Sequence, residues 1–83
     1  MKAETWYVYI LKCADDTLYT GITTDLTRRI GEHNQAKIGA KYTKIRRPVR
    51  LVYQEIYQNR SESCKREAEI KKLSRSEKQR LFL

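Results

Sequence analysis

The clearest pattern along the chain is a β-branched and aromatic run over residues 6–13, with Trp6, Tyr7, Val8, Tyr9, Ile10 and Leu11 in succession. Such side chains favour a half-buried extended strand. Ala14-Asp15-Asp16 is a short polar turn, and residues 17–23 read as a second strand. A connection this tight makes the pair an antiparallel hairpin. Asp25 then offers a helix N-cap, and Leu26, Ile30 and His33 follow at helical spacing, with Gly39 expected to stop the helix. Residues 40–49 read as a basic loop ending with Pro48, and Leu51 to Tyr57 as a third strand. Asn59 with Glu62 has the spacing of a capping box, opening a helix of about three turns. Ser74 with Glu77 repeats it, so a last short helix is expected to run to the C-terminus. The predicted class is α/β (α+β), a small three-stranded antiparallel sheet flanked by helices in the order β-β-α-β-α-α.

With the turn at 14–16, Leu11 faces Tyr19 and Tyr9 faces Gly21. Tyr9 and Tyr19 become diagonal neighbours on one face, about 7–8 Å apart at the backbone. Gly21 is expected to leave room above the backbone for a substrate group. Tyrosines are also good strand residues that stack on a core, the preferred role for Tyr7, Tyr53 and Tyr57. For Tyr9 and Tyr19 the residues alone weigh evenly between core and site. In the helix, Leu26, Ile30 and Lys37 share a stripe within about 40°, with His33 beside it. Arg29 lies about 40° further round, one turn before His33, while Arg28 points to solvent. In the later helix, Cys64, Glu67, Ile70 and Ser74 fall within a face of roughly 120°, with Glu67 in its middle. An inward carboxylate needs a salt-bridge partner or a metal. One carboxylate suits magnesium, which keeps several waters.

Charge changes the picture. Eighteen Lys and Arg stand against ten Asp and Glu, a net charge of +8. That balance suits nucleic acid, because cations attract phosphate whatever the base sequence. In the loop, Lys41, Lys44, Arg46 and Arg47 are expected to grip phosphates, with Tyr42 stacking on a base. Eighty-three residues are expected to form one domain. No apolar run is long enough to span a membrane. With no secretory signal in view, Cys13 and Cys64 read as reduced thiols of a cytoplasmic protein.

Two phenols, a guanidinium, an imidazole and an acid, in this order, resemble the GIY-YIG nuclease superfamily. Tyr7-Val8-Tyr9 stands at the first motif and Tyr19-Thr20-Gly21 at the second, and Asp25-Leu26-Thr27-Arg28-Arg29-Ile30 resembles the helix carrying the family arginine. The segments Gly39-Ala40-Lys41-Tyr42-Thr43, Pro48-Val49-Arg50-Leu51-Val52-Tyr53 and Lys65-Arg66-Glu67-Ala68-Glu69-Ile70-Lys71 extend the likeness to its small stand-alone bacterial subgroup. The resemblance implies divalent-metal-dependent phosphodiester hydrolysis, with a role in DNA repair among the family's uses. It makes Tyr9 and Tyr19 the motif tyrosines, Arg29 the catalytic arginine, His33 a partner one turn later, and Glu67 the ligand of Mg2+ or Mn2+. The chain departs from the pattern at Tyr7, Thr20 and Ile22, and has no asparagine after Glu67. The implied endonuclease would act on DNA or RNA. Its base would be Tyr9 or Tyr19, with a phenol pKa lowered by Arg29 and the metal. Two other readings compete: a non-catalytic nucleic-acid-binding module on the same fold, and a basic surface for an acidic protein partner.

Overall fold

The computed structural model describes residues 4–35 and 41–83. Strand β1 (Trp6–Lys12) lies at the centre of a three-stranded sheet of order β2-β1-β3, with β2 (Leu18–Thr23) and β3 (Arg50–Tyr57) on its flanks, both antiparallel to it. The central strand is the most apolar, and Val8, Tyr9, Ile10 and Leu11 are all buried. The hairpin closes as its residues anticipate. Cys13 N donates to Thr17 O (2.9 Å), Asp16 N donates to Cys13 O (3.0 Å), and Asp16 takes the left-handed conformation (φ 67°) that aspartate tolerates. Tyr9 pairs with Gly21 and Leu11 with Tyr19, as expected.

Helix α1 (Leu26–Asn34) opens on Asp25, whose carboxylate accepts from Arg28 N at 3.0 Å. It ends at Asn34, earlier than the stop expected at Gly39. Gly39, Ala40 and the stripe residue Lys37 lie outside the described residues. The segment read as a basic loop contains a one-turn helix, α2 (Lys41–Lys44). Asn34 joins this region to the sheet, accepting from Val49 N (2.8 Å) and donating to Val49 O (3.1 Å).

Helix α3 (Arg60–Lys71) is capped by Asn59, and α4 (Arg75–Gln79) by a complete Ser74–Glu77 capping box. α4 is shorter than expected, and 80–83 finish as a turn. No helix is long and apolar enough to cross a membrane, among the described residues. Cys13 and Cys64 are free thiols.

The alternation of β1 splits the core. On one face Tyr9, Leu11, Cys13 and Val49 pack with Tyr19, Leu26 and Ile30 of the hairpin and α1. On the other, Val8, Ile10 and Ile70 pack with Leu18, Ile22, Val52, Tyr53, Tyr57, Leu81 and Phe82. Fully burying each of Val8, Ile10, Leu11 and Ile70 stabilises by about 1.5–3 kcal/mol. On this second face, Glu55 accepts from Tyr53, from Tyr57 (2.6 Å) and from Arg66 (3.0 Å). Tyr53 and Tyr57 are therefore structural, as read, and their hydroxyls serve a carboxylate the sequence did not single out.

Candidate active site

The site forms on the α1 face, where β1, β2, α1 and α2 meet. Tyr9 and Tyr19 rise from adjacent strands with ring centroids 6.4 Å apart. His33, on the last turn of α1, sets its ring against both, with centroids 5.9 Å from Tyr9 and 5.0 Å from Tyr19. The Tyr9 hydroxyl shares a hydrogen bond with His33 Nε2 at 2.9 Å. The Arg29 guanidinium donates to Glu32 Oε1 at 2.9 Å and is close enough to the same phenol to lower its proton affinity. Four expected residues, Tyr9, Tyr19, Arg29 and His33, are thus brought together, and Arg28 is exposed as read.

Gly21 acts differently from the expectation of room for a substrate group. A methyl group there would lie 2.5 Å from Tyr9 Oη and 2.7 Å from its Cζ, so the tyrosine itself fills the space. The missing side chain lets the phenol lie across edge strand β2. Gly21 is buried and forms a cradle rather than a nucleic-acid contact.

Burial sets the proton affinities. Loss of water contact, with the Tyr19 phenol beside it, pushes the Tyr9 phenol up to about 12, and Arg29 only partly offsets this. Without a metal, then, Arg29 alone does not lower the Tyr9 phenol, which is a neutral hydroxyl at neutral pH. Burial, then the charge of Arg29, pushes His33 down to about 4, so its imidazole is neutral. His33 is 0% exposed, and its second nitrogen, Nδ1, lies 2.7 Å from Thr43 Oγ1. Thr43, on α2, is also 0% exposed. Sequence reading missed it as a site residue. Its only signal is a threonine among the cations of 41–47, which says nothing about direction.

Glu67 sits on α3, the helix packed on the opposite face, where it is half-buried and pairs with Lys71 at 3.4 Å. Its charge nonetheless acts on the Tyr9 phenol, raising its pKa, which fits a hydroxyl lying across the edge strand. Among the described residues no group of three or more His, Cys, Asp or Glu could hold a metal ion. One half-buried carboxylate is a hard oxygen donor. It fits a cation that keeps most of its waters, such as Mg2+, and does not fit zinc.

The basic rim divides. Lys41 and Lys44 are exposed, without an ion-pair partner among the described residues, and remain available for phosphate. Arg46 is instead a strut. Its Nε lies 3.1 Å from Asp15 Oδ2, its Nη1 donates to Tyr42 O at 2.8 Å, and its guanidinium covers the Tyr42 ring at 4.0 Å. Arg47 closes the end of α1, its Nε donating to His33 O at 2.6 Å and its Nη2 to Gln35 O. Cations suit these carbonyls, which a helix C-terminus leaves unpaired. Tyr42 also stacks obliquely on Tyr19, centroids 5.8 Å apart, so ring surface expected to meet a base is already engaged. Arg46 and Arg47 therefore shape the site in this structure, while Tyr42 also does so and stays partly open at 38% exposure.

Comparison with known proteins agrees with this fold. A family model described as the GIY-YIG catalytic domain matches residues 5–80. A UPF0213 protein of Desulfotalea psychrophila is 59% identical over 76 residues, covering 92% of this chain and 69% of that protein. A UPF0213 protein of Staphylococcus aureus (strain N315) is 54% identical over 79 residues, covering 95% of each. Among solved structures, the solution NMR structure of a UPF0213 protein from Bacillus halodurans has a TM-score of 0.59 at 48% identity, over 93% of this chain and 81% of that one. An NMR structure of a protein from E. faecalis has a TM-score of 0.63 at 42% identity, over 96% and 85%.

Proposed function

Because the chain belongs to the GIY-YIG family, we propose that it is a metal-assisted endonuclease that hydrolyses phosphodiester bonds in DNA or RNA. The observation that carries this reading is the Tyr9 hydroxyl held 2.9 Å from His33 Nε2, beside Tyr19 and near Arg29. Hydrolysis needs a water positioned and deprotonated, and charge on the phosphoryl oxygens stabilised. Arg29 presents a planar, permanently charged fork to those oxygens. Tyr9 orients the water and takes its proton while passing its own to neutral His33, and Tyr19 walls the pocket beside them. Glu67 is the residue that would hold Mg2+ or Mn2+, and that cation, when bound, polarises the phosphate and steadies the leaving oxygen. Lys41 and Lys44 hold flanking phosphates.

The test is cleavage by purified protein of single-stranded, branched and duplex DNA and RNA, with Mg2+ or Mn2+, beside Glu67→Gln. Metal-dependent cleavage that the variant loses is the expected result. Equal cleavage by both would expose a contaminant. Salt-dependent binding without cleavage under either metal would move the assignment to a non-catalytic module. Neutralising both lysines (Lys41→Gln with Lys44→Gln) is expected to flatten the slope of log affinity against log salt by about 1.8 on duplex DNA. Turnover at saturating substrate should survive. An unchanged slope would remove α2 from the nucleic-acid path.

A further inference from the structure

We propose that Thr43 is a positioning residue for proton transfer at Tyr9: its hydroxyl accepts a hydrogen bond from His33 Nδ1–H and so leaves His33 Nε2 unprotonated, facing the Tyr9 hydroxyl. Three nearly or fully buried groups from three elements form one chain, with Thr43 Oγ1 2.7 Å from His33 Nδ1 and Nε2 2.9 Å from Tyr9 Oη. A neutral imidazole has one donor and one acceptor, so this chain has two possible polarities. Arg29 decides between them. Its guanidinium, which donates to Glu32 Oε1 at 2.9 Å, is close enough to act on the Tyr9 phenol and has no capacity to accept from it. If Nε2 were the donor, the Tyr9 oxygen would accept from it and have only the donor Arg29 beside it. Its own O–H, on a side chain 1% exposed and pressed over Gly21, would lack the acceptor that Nε2 otherwise supplies. A buried donor without a partner costs about 1–3 kcal/mol. The polarity that avoids this runs from Tyr9 O–H to Nε2, and from Nδ1–H to Thr43 Oγ1.

That polarity makes the chain a one-way relay. As a water O–H breaks and its proton joins Tyr9 Oη, the original Tyr9 O–H breaks and its proton forms Nε2–H on His33. The resulting imidazolium keeps its Nδ1–H bond to Thr43. Arg29 and Arg47 oppose the new charge and Glu32 favours it, so the proton is held only briefly. This step rests on the nuclease reading, whereas the proton's place in the resting protein does not.

The chain has one histidine, so its imidazole nitrogens can be read by 15N NMR without ambiguity. The expected spectrum at neutral pH is the Nδ1–H tautomer in the wild type and in Thr43→Ser. A shift towards Nε2–H is expected in the near-isosteric Thr43→Val. A wild type carrying Nε2–H would overturn the proposal without any variant, as would a Thr43→Val spectrum identical to wild type. Where cleavage is measurable, Thr43→Val should lower turnover by about 10–100-fold with substrate affinity unchanged, and Thr43→Ser should restore it. Absence of cleavage throughout would count against the nuclease reading alone, because the NMR spectra still decide the tautomer.

Discussion

Gly21→Ala is expected to destabilise the protein by about 1–3 kcal/mol and to abolish activity at the same time. The added methyl would meet Tyr9 Oη at 2.5 Å, its Cζ at 2.7 Å and Tyr19 Cε2 at 3.2 Å. Tyr9 has little means of yielding, being 1% exposed and hydrogen-bonded to His33. The two rings must shift together, which opens the Tyr9–His33 contact on which the proposed proton transfer depends. Alanine is better than glycine in a strand by roughly 0.5–1 kcal/mol, which offsets only part of the cost. Gly31 is the control: a methyl there meets nothing within 4 Å, and it lies inside α1. Gly31→Ala should therefore stabilise by about 0.5–1 kcal/mol. Urea denaturation of both variants measures the contrast. A Gly21→Ala protein with an unchanged midpoint would mean that Tyr9 is not wedged over the edge strand.

Arg29→Ala is expected to reduce turnover by about 100- to 1,000-fold while leaving the fold intact, the usual effect of losing a group aimed at transition-state charge. Arg29→Lys should recover little, because an ammonium lacks the planar fork. Two readouts need no substrate. Arg29 lowers the proton affinity of both His33 and Tyr9, so its removal should move both pKa values upward, His33 from about 4 towards its ordinary range. NMR titration of the single imidazole measures this. A His33 titration unmoved in Arg29→Ala would place the guanidinium outside the pocket. Retained turnover would remove Arg29 from the chemistry.

The strands, the hairpin register and the helix caps were legible because they rest on neighbours. Tyr9 faces Gly21 as a consequence of turn length, and Asp25, Asn59 and Ser74 cap helices through bonds to residues three positions on. The grouping of Tyr9, Tyr19, Arg29 and His33 came from the family resemblance, since period-two and helical spacing alone left the tyrosines evenly weighed between core and site. The cations of 41–47 were not legible. A basic residue announces charge but not the acceptor it will find. Arg47 meets the carbonyls that end α1, and Arg46 meets Asp15 of the hairpin turn.

The order of side chains along the chain was enough to specify which hairpin groups share a face, where α1, α3 and α4 begin and that the chain is basic. Each follows from bond geometry repeated over a few residues. Packing settled the rest: a Tyr9 hydroxyl that keeps its proton, a glycine that houses a ring, and a buried threonine set against a histidine. Those properties depend on water excluded by segments far apart in the chain. Desolvation and hydrogen-bond direction exist only once those segments have met.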